Sequence, residues 1–419
     1  MFGRYTDSFK TTEQLAAWNT SVQEYDSKNF VKSVISFLGY IRDPKEDNVR
    51  WIEKDGVLEF TIYQGTQLIK CVVNDKGISC ECKIAKIVKP SVSAMRRLLE
   101  LNFALDYSQF GFNEDNIIIL RYDSKENNSH PNRLYYALRE LALSSDKYDD
   151  SISDDFSALE MIDNMNTKPL PIELKELKYD FFIKQIETIV SQVNSLDSEK
   201  DAGAISWLLM SLVYRLDYLI SPQGGTWLNL QKIQNLYYTQ ENTPLIEKNS
   251  IIKIELEKLL KFNKEQFCND MYDVVNTFAI TKNSNPEDIK SSLSESLKSY
   301  LHWNNEKSIN IAYSVLEHGI GYSLFNFSLP KVMRDFFKLF MNVMYNDYFL
   351  SLNQLGKYVE NNVYNSNEIK SKINAIVSDN ITVYPKLTFN NNSLNCNSKI
   401  EFITTYLSEL INVISSMSK

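Results

Sequence analysis

Residues 49–88 read VRWIEKDGVLEFTIYQGTQLIKCVVNDKGISCECKIAKIV, and they decide how the first third of the chain folds. Side chains in a strand alternate between two faces, so a half-buried strand carries a period of two. Leu58, Phe60 and Ile62 share one face of their run; Ile69, Cys71 and Val73 share a face of the next; Ile78, Cys80, Cys82 and Ile84 share a face of the third. Asp55-Gly56 and Lys76-Gly77 are turn pairs, and Gly65 marks the remaining break. The spacing predicts a short antiparallel meander.

Helical periods flank it. Leu15, Trp18 and Val22 predict a helix over residues 11–25, and Phe30, Val34, Phe37 and Ile41 predict a second from about Ser27 to Gly39. Asp43-Pro44 ends it, because proline turns its predecessor away from helix. After the meander, Pro90 opens a helix over 91–105. At 100° per residue its Met95, Leu98, Leu99, Leu101, Phe103 and Leu105 span about 200°, whereas a helix on one sheet needs about 100°. The surplus implies cover by a second subunit, the C-terminal domain or a bound chain. The run QFGFNEDNIIILRYDS predicts a hairpin turning at Glu114-Asp115-Asn116. Pro131 opens a further helix with Leu134, Leu138 and Leu141 in register.

The order helix, antiparallel strands, helix, hairpin, helix resembles the type III secretion chaperone-like fold, including its YbjN-like branch, over roughly residues 26–150. The segment LLELNFALDYSQFGFNEDNIIILRYD carries the likeness, with the acidic end of RLYYALRELALSSDKYDD after it. The resemblance implies a protein-binding module without chemistry of its own. Such proteins dimerise through the helix after the meander, here 91–105, and hold an unfolded client segment against the sheet and first helix. Met95, Leu98, Leu101 and Leu105 are then the residues for association. Phe30, Phe37, Leu58 and Phe60 are candidates for client contact, with ordinary core packing as the competing reading. Two features depart from the family: the chain runs on for over 250 residues more, and the 11–25 helix is an addition.

Residues 144–165 place Asp146, Asp149, Asp150, Asp154, Asp155, Glu160 and Asp163 against Lys147 alone. No calcium-loop register appears among them. They read as an acidic linker, giving an α+β domain over 1–150, a linker over 151–171 and a helical domain over 172–419. Within the last, helices are predicted near 173–194, 201–220, 227–238, 246–262, 264–280, 286–302, 306–326, 331–352, 366–378 and 399–416, with a short hairpin over 381–396. A helical bundle of irregular topology is expected.

The 419 residues suit two or three domains, and the formal net charge of −8 disfavours binding to nucleic acid or to an anionic membrane. Lys83, Lys86, Lys89, Arg96 and Arg97 form a local basic stretch, read as a solvated edge, with an anion or acidic-peptide site as the rival. Five cysteines follow no zinc spacing and suit reduced thiols in a cytoplasmic protein. No secretory leader is visible at residues 1–25. The most apolar helix, 204–220, is broken by Arg215 and Asp217 and reads as a buried one.

Histidine occurs only at His130, His302 and His318. Glu317-His318-Gly319-Ile320-Gly321 sits in a helical run, where close packing explains its glycines better than a dinucleotide loop does. Gly224-Gly225-Thr226 reads as a helix cap, with anion binding at the helix start as the rival. No catalytic, cofactor or metal residue is assigned. The leading expectation is a non-catalytic protein- or peptide-binding protein. An enzyme with its site near His302, His318 and Glu317 is the alternative, and a structural or regulatory subunit of a larger assembly is the third class.

Overall fold

The computed structural model describes residues 2–417 apart from 8, 44, 90, 156–158, 163–165, 240–241, 304–308 and 354–355, and apart from the side chains of 149–155 and 161. Pro90, the side chains of Asp149, Asp150, Asp154, Asp155 and Asp163, and the start of the helix predicted from 306 therefore lie outside the described residues. The chain forms an N-terminal antiparallel sheet with helices, then a mostly helical region. It divides into two units: Tyr5–Pro169 with Tyr272–Ile280, and Met1–Arg4 with Leu170–Met271 and Thr281–Lys419.

The α+β unit begins with α1 (Thr12–Asp26) and α2 (Phe30–Ile41). A capping box between Thr11 and Gln14 starts α1. The meander follows as β1 (Val49–Lys54), β2 (Val57–Gln64), β3 (Gln67–Asn74) and β4 (Gly77–Ile87). Next come α3 (Val92–Phe103), β5 (Gln109–Phe112), β6 (Ile117–Lys125), α4 (Pro131–Asp155), β7 (Leu159–Met161), β8 (Thr167–Pro169) and, from far along the chain, β9 (Tyr272–Val274). The strand order is β1-β2-β3-β4-β6-β5, and every pair is antiparallel. The alternation read from the sequence holds: Leu58, Phe60, Ile62, Ile69, Cys71, Val73, Ile78, Cys80, Cys82 and Ile84 are all buried. With α2's Val34, Phe37, Leu38 and Ile41 and α4's Leu134, Leu138 and Leu141 they form one core cluster. Val72 and Ile52 on the opposite parity are exposed, so one sheet face carries the core.

The stretch read as a linker is partly built into this unit. The helix from Pro131 continues through the acidic residues to Asp155, and Leu159 packs on the core. β4 outruns β3, which pairs with it only as far as Cys82. β7 pairs with Ala85–Ile87 of that overhang and so satisfies main-chain groups that would otherwise be left bare.

The helical unit contains α5 (Ile172–Asn194), α6 (Ala202–Ile220), α7 (Gly224–Thr239), α8 (Leu245–Leu259), α9 (Lys264–Asn269), α10 (Pro286–Trp303), α11 (Ile309–Asn326), α12 (Lys331–Met344), α13 (Asn346–Ser351), α14 (Ser366–Asn380) and α15 (Lys399–Ser416). A parallel two-residue pair, β10 (Lys282–Asn283) with β11 (Phe327–Ser328), and a small hairpin, β12 (Val359–Glu360) with β13 (Val363–Tyr364), complete it. The hairpin predicted at 381–396 does not form, because turns anchored by buried Leu387 and Leu394 occupy that stretch. The helix predicted over 331–352 breaks at Tyr345, where φ is −119° and ψ 36°.

α6 is long and apolar enough to cross a membrane, yet nearly all of it is buried in this unit. The two charges that interrupt it are paired. Arg215 meets Glu317 at 2.9 Å, and Asp217 meets Arg4 at 2.9 Å. Arg4 arrives because residues 2–4 cap the end of α6: the Gly3 N–H donates to the Tyr218 carbonyl at 3.1 Å and to Ser221 Oγ at 2.8 Å. Gly319 lies against α10, where a Cβ would sit 2.9 Å from the Ser292 carbonyl oxygen, so helix approach accounts for that glycine.

Candidate functional site

The helix predicted over 264–280 ends at Asn269, and the residues after it leave the helical unit to join the α+β unit. Val274, Val275 and Thr277 are β-branched and lose rotamer freedom in a helix. The Asp270 side chain is engaged elsewhere, accepting from the Thr226 N–H at 2.7 Å and the Thr226 hydroxyl at 2.6 Å. The start of α7, read as a cap or an anion site, thus receives the chain's own carboxylate.

From Tyr272 the segment is extended. β9 pairs antiparallel with β8, matching Val274 to Thr167 and Tyr272 to Pro169, and Val275 bridges Gly65. Gly65 has φ of 57°, and the Asp146 carboxylate fills the position a Cβ would take, so no other residue fits this corner between β2 and β3. Asp146 also accepts the Thr66 N–H at 3.0 Å, and Asn166 donates to the Gly65 carbonyl at 2.9 Å. The Asn276 side-chain oxygen Oδ1 accepts from the Gly65 N–H at 3.1 Å and from Gln64 Nε2 at 2.9 Å.

The following residues are held through their main chain and, at Thr277, through the side-chain hydroxyl as well. Gln64 Oε1 accepts the N–H groups of Thr277 at 3.2 Å and Phe278 at 2.9 Å, while its Nε2 donates to the Phe278 carbonyl at 3.3 Å. Thr277 Oγ1 donates to the Tyr63 carbonyl at 2.8 Å and accepts from Asn48 Nδ2 at 3.1 Å. Arg139 Nη2 donates to the Ala279 carbonyl at 2.8 Å. Gln64, Asn48 and Thr277 are buried, so each hydrogen bond here replaces solvation that the site has removed. The Phe278 ring is 1% exposed and meets Tyr135 edge-on at 5.6 Å between centroids. Burying such a ring contributes about 1.5–3 kcal/mol. The seat therefore holds the chain's own segment by its backbone and also by the side chains of Asn276, Thr277 and Phe278.

The candidates read from the sequence fall around this seat. Phe30, Phe37, Leu58 and Phe60 are buried in the cluster that also takes Phe278, so they lie within the core and are not open to a client. Leu98 and Leu101 are buried in that cluster too, with Leu105 packed against it, and Met95 is half-buried. Their spacing turns them inward on α3. The residues left uncovered are Val92, Leu99 and Phe103, 87%, 70% and 95% exposed, about 120° round the helix from the inward stripe. Association through α3 would therefore use Val92, Leu99 and Phe103 in place of Leu98 and Leu101. In the basic stretch, Arg96 and Arg97 both pair with Glu100.

Gln64, Asn48, Arg139 and the docked Asn276-Thr277-Phe278 are absent from the sequence-based candidates. The available signal was the density of β-branched and aromatic residues in YDVVNTFAI, which argues for a strand. Among the histidines, His130 accepts the Asn132 N–H at the start of α4, and His302 is exposed beside Trp303. His318 lies among Trp207, Tyr214 and Tyr322, where burial holds its imidazole down to about 3. Glu317 is committed to Arg215 and to the Tyr345 hydroxyl, so it is not available as a base beside His318. Burial and a hydrogen bond with Cys80 raise the Cys71 thiol well above its usual range, which keeps it protonated. Among the described residues no cluster of His, Cys, Asp or Glu gathers as metal ligands would.

No family model matches the chain, and neither a curated protein nor a solved structure matches it.

Proposed function

We propose that this chain is a non-catalytic protein- or peptide-binding protein of the secretion-chaperone-like kind, whose α+β unit takes up extended main chain. The observation that carries the reading is the seat of Tyr272–Ile280. A stretch with an extended backbone adds at a strand edge, is held by the Gln64 amide and is anchored by one ring, which is the pattern of peptide recognition by strand addition. The bonds to backbone tolerate many sequences, while those to Asn276 Oδ1 and Thr277 Oγ1 favour clients with a polar pair before an aromatic residue. The chain's own segment then stands where a client would bind, and the uncovered face of α3 serves association with a second copy.

The test is competition. A fluorescent peptide covering residues 270–282 is titrated into the full chain and into its Phe278→Ala variant, with anisotropy as the readout. A tethered segment competes at an effective concentration of about millimolar order. Removing its anchor should therefore tighten binding of the free peptide about tenfold or more, and Gln64→Leu should abolish it. Equal, weak binding to both proteins sinks the proposal.

A further inference from the structure

The helical unit contains a cleft lined by its own residues, none of which belongs to the peptide seat. α6, α10 and α11 each turn one helical row toward a common cleft: Ser206, Trp207 and Met210; Asp288, Ser291 and Glu295; His318 and Tyr322. Tyr237, Tyr238, Lys282 and Phe327 close it, and its volume is about 760 Å³. That volume suits a small molecule.

The walls are aromatic and continuous. Trp207 meets His318 edge-on at 4.5 Å, and His318 lies parallel to Tyr322 at 6.0 Å. Tyr322 continues to Tyr238 at 6.1 Å and to Phe327 at 5.8 Å. The Tyr238 hydroxyl is fixed by that of Tyr214 at 3.1 Å. Around these rings stand two carboxylates and one ammonium, Asp288, Glu295 and Lys282, so the lining is net negative. Both carboxylates are close enough to Tyr322 to help raise its hydroxyl pKa after burial has done so, and Glu295 acts on Tyr238 in the same sense. His318, the one imidazole in the wall, is uncharged at neutral pH and so does not repel a cation.

A cleft walled by π systems and edged by carboxylates favours an organic cation. Ring faces attract a positive charge that is too poorly hydrated to prefer water, and the carboxylates supply the long-range field. We propose that this cleft binds a small soluble ammonium compound, quaternary or substituted, with Tyr322, Tyr238 and Trp207 as its wall and Glu295 and Asp288 as its counter-charge.

The experiment is calorimetric titration of the full chain with choline and with its neutral isostere 3,3-dimethylbutan-1-ol. The two differ in charge and hardly in shape. Choline is expected to bind at least tenfold tighter. Glu295→Gln, an exposed change, should weaken choline about five- to tenfold while leaving the isostere unmoved, and Tyr322→Leu should weaken choline at least tenfold. Equal affinity for the two probes, no binding of choline, or choline binding indifferent to Glu295→Gln overturns the proposal. Co-sedimentation with phosphatidylcholine vesicles in place of binding to free choline overturns the assignment to a soluble ligand.

Discussion

The side-chain amide of Gln64 holds the main chain of Phe278 at both ends, its Oε1 accepting the Phe278 N–H at 2.9 Å and its Nε2 donating to the Phe278 carbonyl at 3.3 Å. The two residues are more than two hundred positions apart. A glutamine side chain here does what a neighbouring strand would do, and it is buried, so its loss exposes nothing to water that could replace it.

Gln64→Leu keeps the bulk and removes the bonds. The N–H groups of Thr277 and Phe278 are then left facing an apolar wall, at a cost of about 2–4 kcal/mol. Hydrogen exchange should accelerate at residues 275–279 with little change at the centre of β3. Unaltered protection at Thr277 and Phe278 contradicts the role given to Gln64.

Arg215 and Glu317 form a bidentate pair inside the helical unit, 8% and 3% exposed. Glu317→Gln leaves the guanidinium buried without its counter-charge and should cost about 3–5 kcal/mol. Replacing both partners with Met and Leu should recover much of that loss. Thermal unfolding of the three proteins separates a destabilising broken pair from a pair that is itself indispensable.

Phe103 and Leu99 project from α3 with almost no cover, so Phe103→Asp should leave the fold intact. If α3 joins two copies, the solution mass by light scattering falls to that of one chain on this substitution, whereas Leu98→Asp unfolds the α+β unit. A wild-type mass of one chain at every concentration removes the association.

His318 supplies a pH dependence whose sign is fixed. Its folded pKa, held down to about 3 by burial, lies below the ordinary 6.5. The unfolded chain therefore binds a proton that the folded chain refuses, and stability is full above about pH 6.5 and falls as pH drops toward 3. His318→Phe keeps the ring packing and should flatten the decline between pH 7 and pH 4.5. An equal decline in both proteins places the titrating group elsewhere.

Much of the α+β unit was legible in residues 49–88 because strand alternation and turn residues are local properties. Each strand needs one apolar face, and Asp55-Gly56 and Lys76-Gly77 show where it turns. The helices over 172–194, 202–220 and 399–416 were legible for the same reason. The site was not. VVNTF carries apolar residues at a spacing that a helix and a buried strand both accept, and only the partner chooses between them. The direction of α3 was hidden likewise: six apolar residues spread over about 200° do not say which of them face the sheet.

By itself the sequence determined the order of elements from α1 to α4, the buried face of each meander strand and the pairing need of Arg215 and Asp217, since these follow from periodicity and from the cost of a bare buried charge. Tertiary structure alone decided that Arg4 answers Asp217, that Gln64 receives Phe278, and that Leu99 and Phe103 stay outside. Those outcomes depend on which distant segments meet, and the free energy of a contact between residues far apart in sequence is written in neither segment alone.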